Sequence, residues 1–139
     1  MRLTTIACLF ILGIGCNTSK KAINSYNLNG TWIPVQQEIG GKSLPKAAFE
    51  KQNLVIADSS YAFTAESVDK GVVRYREGKM DIYGKEGVNV GKHFTAIYKL
   101  ESDQLTICYN LSGAEYPDSY TTNGKPTYFI SVFTREKFK

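Results

Sequence analysis

The sharpest pattern in the chain is HFTAIYKL-ESDQ-LTICYNL, residues 93–111, where apolar and polar positions alternate on both sides of a polar break. Alternation with period two marks a half-buried strand, so the segment reads as an antiparallel hairpin. With Glu101 to Gln104 as the turn, Leu100 pairs with Leu105, Tyr98 with Ile107, Ala96 with Tyr109 and Phe94 with Leu111. All eight then share one face. Thr95, Ile97, Lys99, Thr106, Cys108 and Asn110 take the other, more polar face. A slip of one residue would exchange the two faces, so the register is well specified.

Around this hairpin, short runs rich in β-branched and aromatic residues predict further strands at 31–38, 52–57, 60–65, 71–76, 79–83 and 127–135. One helix is expected, Pro45 to Lys51, with the proline at its first turn. The links between strands alternate strictly in length. Links 58–59, 77–78 and 101–104 have two, two and four residues, whereas 39–51, 66–70, 84–92 and 112–126 have thirteen, five, nine and fifteen. In an up-and-down arrangement every second link lies at the same end, so one end is tightly closed and the other carries every long loop. A Greek-key sandwich does not usually give this order. The prediction is an all-β, eight-stranded antiparallel up-and-down barrel with one short helix, whose interior is either filled by side chains or holds one small ligand.

The N-terminus patterns differently. After Met1-Arg2, the twelve residues Leu3 to Ile14 carry no charge, and the chain turns polar directly after Gly15-Cys16. A basic start, a short apolar run and a small residue before a cut describe an export signal; twelve residues are too few to span a bilayer. Gly15-Cys16 resembles the lipobox of bacterial lipoproteins, although Gly13 stands where the usual pattern has leucine. That resemblance implies cleavage before Cys16 and a diacylglycerol on its thiol. The several acyl chains (palmitate-like) that such a modification carries suffice for stable membrane anchoring, where a single chain would not. Residues 1–15 are then a signal peptide, 16–28 a lipidated polar tether, and 29–139 the folded domain.

Composition adds bounds. The full chain has 139 residues, 42% hydrophobic and 22% charged, with a net charge of +4 that falls to +3 once Arg2 is removed. This is one domain's length with a real core, and the charge is no nucleic-acid footprint. With Cys8 in the leader and Cys16 lipidated, only Cys108 remains, so the mature domain has no intramolecular disulfide and is held by its core.

Three pieces of sequence carry a family resemblance. LNGTWIPV opens the first strand with Gly30-x-Trp32, and the last ends FTREK with Arg135. This resembles the lipocalin pattern, which implies that Trp32 plugs the closed end and Arg135 packs across it. The stretch from about 29 to 136 is similar to a family of small bacterial lipocalin-like envelope domains. It shares Gly30-Thr31-Trp32, then Gly40-Gly41-Lys42-Ser43-Leu44-Pro45, and then Ile97-Tyr98-Lys99-Leu100 followed by Asp103, Leu105 and Cys108. Ala96 stands where that family often has glycine, and Tyr116-Pro117 where it often has Arg-Pro. The resemblance implies a fold more than a function, since the family mostly lacks an assigned activity.

Catalytic chemistry is hard to place. His93 is the one histidine, and no spacing of His, Cys and acidic residues matches a metal site. Gly84 to Gly91 lacks the Gly-Lys-Ser/Thr ending of a phosphate loop and reads as a loop at the open end. No catalytic residue, metal or cofactor is expected. Nine tyrosines against seven phenylalanines are the remaining signal, because tyrosine offers apolar surface with a polar tip. Two readings stay open. In the first, Gln36, Tyr61, Tyr83, Phe94, Tyr98, Tyr109 and Tyr128 line a pocket for a small hydrophobic or amphipathic ligand. In the second, the barrel is filled, and loops 39–51 and 112–126 bind a protein partner.

Overall fold

A computed structural model describes residues 27–137, so residues 1–26, including the leader and Cys16, lie outside the described residues. Nine strands follow in chain order: β1 (Gly30–Ile39), β2 (Lys42–Ser43), β3 (Asn53–Ala57), β4 (Ser60–Thr64), β5 (Val68–Arg76), β6 (Lys79–Glu86), β7 (His93–Glu101), β8 (Gln104–Asn110) and β9 (Tyr128–Arg135). From β3 to β9 each strand pairs with its successor, antiparallel throughout, and β1 pairs with both β3 and β9. The sheet is thus a closed eight-stranded barrel, with β2 as an extra strand on the far end of β1. Closure removes the sheet edges that would otherwise invite pairing with other chains.

Link lengths sort by end. Asp58-Ser59, Glu77-Gly78 and Ser102-Asp103 make three two-residue turns at one end. Asp58, Glu77 and Ser102 have φ of 53°, 51° and 57°, the left-handed backbone that matches the twist of tight hairpins. Links 40–52, 65–67, 87–92 and 111–127 all lie at the other end. The hairpin register is the expected one, with Leu100 opposite Leu105, Tyr98 opposite Ile107 and Ala96 opposite Tyr109.

Three features differ from expectation. Residues 45–51 form only a three-residue 3-10 turn, Lys46–Ala48. A seven-residue segment after a proline is too short to pass the costly nucleation step of an α-helix. The ladder ends at Thr95 opposite Asn110, and Leu111 leaves it exposed. The third difference concerns the polar face of the hairpin, where Thr95, Thr106, Cys108 and Asn110 are buried rather than solvated. The 111–127 link folds over them: the Glu115 carbonyl accepts from Thr95 Oγ1 at 2.6 Å and Asn110 Nδ2 at 2.9 Å. Thr122 in the same link is buried, donates its hydroxyl to the Glu38 carboxylate and accepts from Gly41 N at 2.9 Å.

The tight-turn end is filled by large apolar side chains. Leu28, Trp32, Leu105 and Phe133 are fully or almost fully buried there, each such side chain contributing about 1.5–3 kcal/mol by its removal from water. Trp32 Nε1 donates to the Leu28 carbonyl at 2.9 Å, and Leu28 N donates to the Tyr75 hydroxyl at 3.3 Å. Tyr75 in turn meets Tyr98 edge to face at 5.8 Å.

Candidate functional site

Towards the long-link end the barrel is hollow. A cavity of about 460 Å3 is bounded by aliphatic side chains of successive strands (Leu54, Ile56, Val73, Met80, Ile82 and Ile107) and by five rings, Tyr61, Phe63, Phe94, Tyr109 and Phe129. Asn89, Lys92 and Leu111 belong to the long links and form its mouth. This volume falls in the range of about 300–1,000 Å3 usual for small-molecule sites.

One carboxylate interrupts the apolar wall. Asp69, on β5, lines the cavity and is 5% exposed. Its Oδ1 accepts from Asn89 N at 3.0 Å, and its Oδ2 accepts from Asn89 Nδ2 at 2.9 Å and from the Tyr61 hydroxyl at 3.2 Å. Burial, reinforced by the neighbouring Asp69 charge and their hydrogen bond, pushes the Tyr61 hydroxyl above its usual range, so it stays a donor. Burial does the same to Tyr109.

The glycine-rich segment 84–91 is ordered by this carboxylate. Gly84 N donates to the Lys92 carbonyl at 3.0 Å and Gly91 N to the Gly84 carbonyl at 3.0 Å, which closes the segment on itself. Gly87 has φ of +89°, and a Cβ there would stand 2.8 Å from Asp69 Oδ1 and 2.6 Å from the Val68 carbonyl. Glycine is therefore required for the segment to lie against Asp69.

Of the seven pocket positions expected from sequence, Tyr61, Phe94 and Tyr109 line the cavity. Tyr98 is buried in the packed core with Tyr75. Gln36, Tyr83 and Tyr128 do not reach the cavity. A β-bulge between Pro34 and Gln36 inserts one residue opposite β9, which reverses the inward parity of β1. Gln36 is consequently exposed, and Gln37 turns inward with its Nε2 2.7 Å from Gln52 Oε1 and 3.3 Å from Ser131 Oγ. On β6 the inward positions are Met80 and Ile82, so Tyr83 is outside, stacked on His93 at 4.4 Å. On β9 Phe129 faces the cavity and stacks with Tyr109 at 5.6 Å, while Tyr128 lies outside beneath Lys125.

Gly30, Trp32 and Arg135 converge at the closed end. The Arg135 guanidinium lies 4.2 Å from the Trp32 ring centre, and its Nη1 donates to the Asn29 carbonyl. A Cβ on Gly30, whose φ is +139°, would stand 2.6 Å from Arg135 Nη1. The glycine is what lets the arginine cross.

A polar cluster on the outer face has no counterpart in the sequence reading. His93 Nε2 lies 2.8 Å from Asp81 Oδ1, and the Tyr116 hydroxyl donates to Asp81 Oδ2 at 2.6 Å. Burial alone would raise the Asp81 pKa, but the bonds from Tyr116 and His93 outweigh it and hold the carboxyl below its usual range. Asp81 and His93 stand on outward positions of adjacent strands, so only the β6–β7 register could have revealed them. Cys108 is fully buried, and burial pushes its thiol up to about 11. It is thus a protonated packing residue at neutral pH. Among the described residues no cluster of three or more His, Cys, Asp or Glu could hold a metal ion.

The chain matches no family model, no curated protein and no solved structure.

Proposed function

We propose that the protein is a non-catalytic, lipid-anchored lipocalin-like binding protein of the bacterial envelope, on the periplasmic side or in the outer membrane, that holds a small hydrophobic or amphipathic ligand. The observation that carries the binding reading is the cavity of about 460 Å3, walled by hydrocarbon and aromatic rings and open at the long-link end. The Trp32–Arg135 closure supports the lipocalin-like assignment, and the leader ending at Gly15-Cys16 supports the anchor. Native mass spectrometry of the protein from its source is expected to show a co-purifying small molecule; a bare chain that also binds no apolar dye would overturn the binding reading. Cys16→Ser is expected to release the protein from the membrane fraction. Unchanged retention would sink the lipid anchor.

A further inference from the structure

We propose that the cavity selects an apolar molecule bearing an ammonium group, which meets the Asp69 carboxylate while its body lies among the aromatic walls. This rests on the binding reading above and names the class of ligand. Asp69 is buried in a wall that is otherwise largely apolar, and all three of its hydrogen bonds come from uncharged donors, two on Asn89 and one on Tyr61. A carboxylate offers about four acceptor positions, so one remains on Oδ1. No described Lys, Arg or His nitrogen forms an ion pair with it. A buried charge without a counter-ion is costly, and its field is screened far less than that of a surface charge. A cation delivered inside an apolar ligand would supply the missing partner.

The surrounding rings favour the same sign. Tyr61, Phe94, Tyr109 and Phe129 line the cavity, and aromatic faces attract cations most strongly where water is excluded. Lys92 makes the opposite demand. It stands at the mouth and its Nζ donates to Asn89 Oδ1 at 3.2 Å, one residue removed from the carboxylate. Lys92 is solvent-exposed, so its charge is screened and its side chain free to swing outward. Burial decides the contest in favour of Asp69.

The test uses the full chain carrying Cys16→Ser and three probes of one chain length, decylammonium, decanol and decanoate, competing with an environment-sensitive apolar dye. Decylammonium is expected to bind roughly tenfold or more tighter than decanol, since both can donate a hydrogen bond to Asp69 but only the ammonium supplies the opposite charge, and close charge pairs couple by at least that much, with decanoate weakest. Lys92→Gln, an exposed substitution that leaves the walls intact, should tighten decylammonium further. Asp69→Asn should bring it down to the level of decanol. Binding elsewhere on the chain is common to all these proteins, so the change between variants reports the cavity. The proposal is overturned, with the binding reading intact, if decanol equals or exceeds decylammonium, or if decanoate binds tightest and loses affinity in Lys92→Gln. If none of the three displaces the dye, the ammonium proposal is overturned; only a chain that binds no dye and carries no co-purifying molecule overturns the binding reading as well.

Discussion

The two ends of the barrel are built from the same strands and solve different problems. At the tight-turn end Leu28, Trp32, Leu105 and Phe133 fill the interior, and Arg135 closes over the indole. At the long-link end the strands enclose a cavity of about 460 Å3, and polar bonds hold the covering segments: Asn89 on Asp69, Tyr116 on Asp81, Thr122 on Glu38. Burial of apolar surface is the main stabilising term, so the filled end is expected to be the stabilising half, while the hollow end trades packing for space.

The largest expected effect of breaking this contrast is at Trp32. Trp32→Ala removes the fully buried ring, its bond to Leu28 and the surface on which Arg135 lies. It should cost about 3–5 kcal/mol in denaturant unfolding. A loss below about 1 kcal/mol would show that the closed end is not the stabilising half.

A smaller effect is expected at Asp81, which pins the 111–127 link. Its folded pKa is depressed, so its contribution is complete above the unfolded value of about 3.9 and is lost as pH falls through the lower folded value. Asp81→Asn should cost about 1 kcal/mol at pH 7 and flatten the acid limb of the stability curve. A cost that persists unchanged at pH 2 would mean that the carboxylate's charge plays no part. The Trp32→Ala loss carries no titrating group and should vary little over the same range.

The smallest change in stability is expected from filling the hollow end. Val73 is buried and lines the cavity, so Val73→Phe has room that a packed core lacks. It should shift stability by less than about 1 kcal/mol, against about 1–3 for overpacking a filled interior, while abolishing binding of an apolar dye. Retained dye binding would place the dye outside the cavity.

Much of this contrast was legible in the residues. The alternation across 93–111 fixes the β7–β8 register against a one-residue slip, which would exchange the apolar inner face for the one carrying Thr95, Lys99 and Thr106. The parity of link lengths puts the long links at one end before any contact is known. What the pattern could not show was a local irregularity or a distant cover. The bulge after Pro34 reverses parity, so Gln37 rather than Gln36 turns inward. The burial of Thr95, Thr106 and Cys108 depends on where a seventeen-residue link comes to rest, and no strand periodicity encodes that. Tyrosine content alone points to Tyr83 and Tyr128, whereas Met80, Ile82 and Phe129 already claim the inner positions of their strands. Asp69 escaped notice because a lone acidic residue in a polar stretch carries no pattern of its own.

The chain enters and leaves the barrel at the same end. Asn29 meets Arg135, and Glu136 N donates to the Thr31 carbonyl at 2.8 Å, so residues 27–29 and 136–137 lie side by side against the closed floor. Anything joined to either terminus is therefore attached there, at the pole opposite the mouth. A linker bridging residues 27 and 137 would let the domain be cut afresh in a long link without disturbing the floor or obstructing the rim.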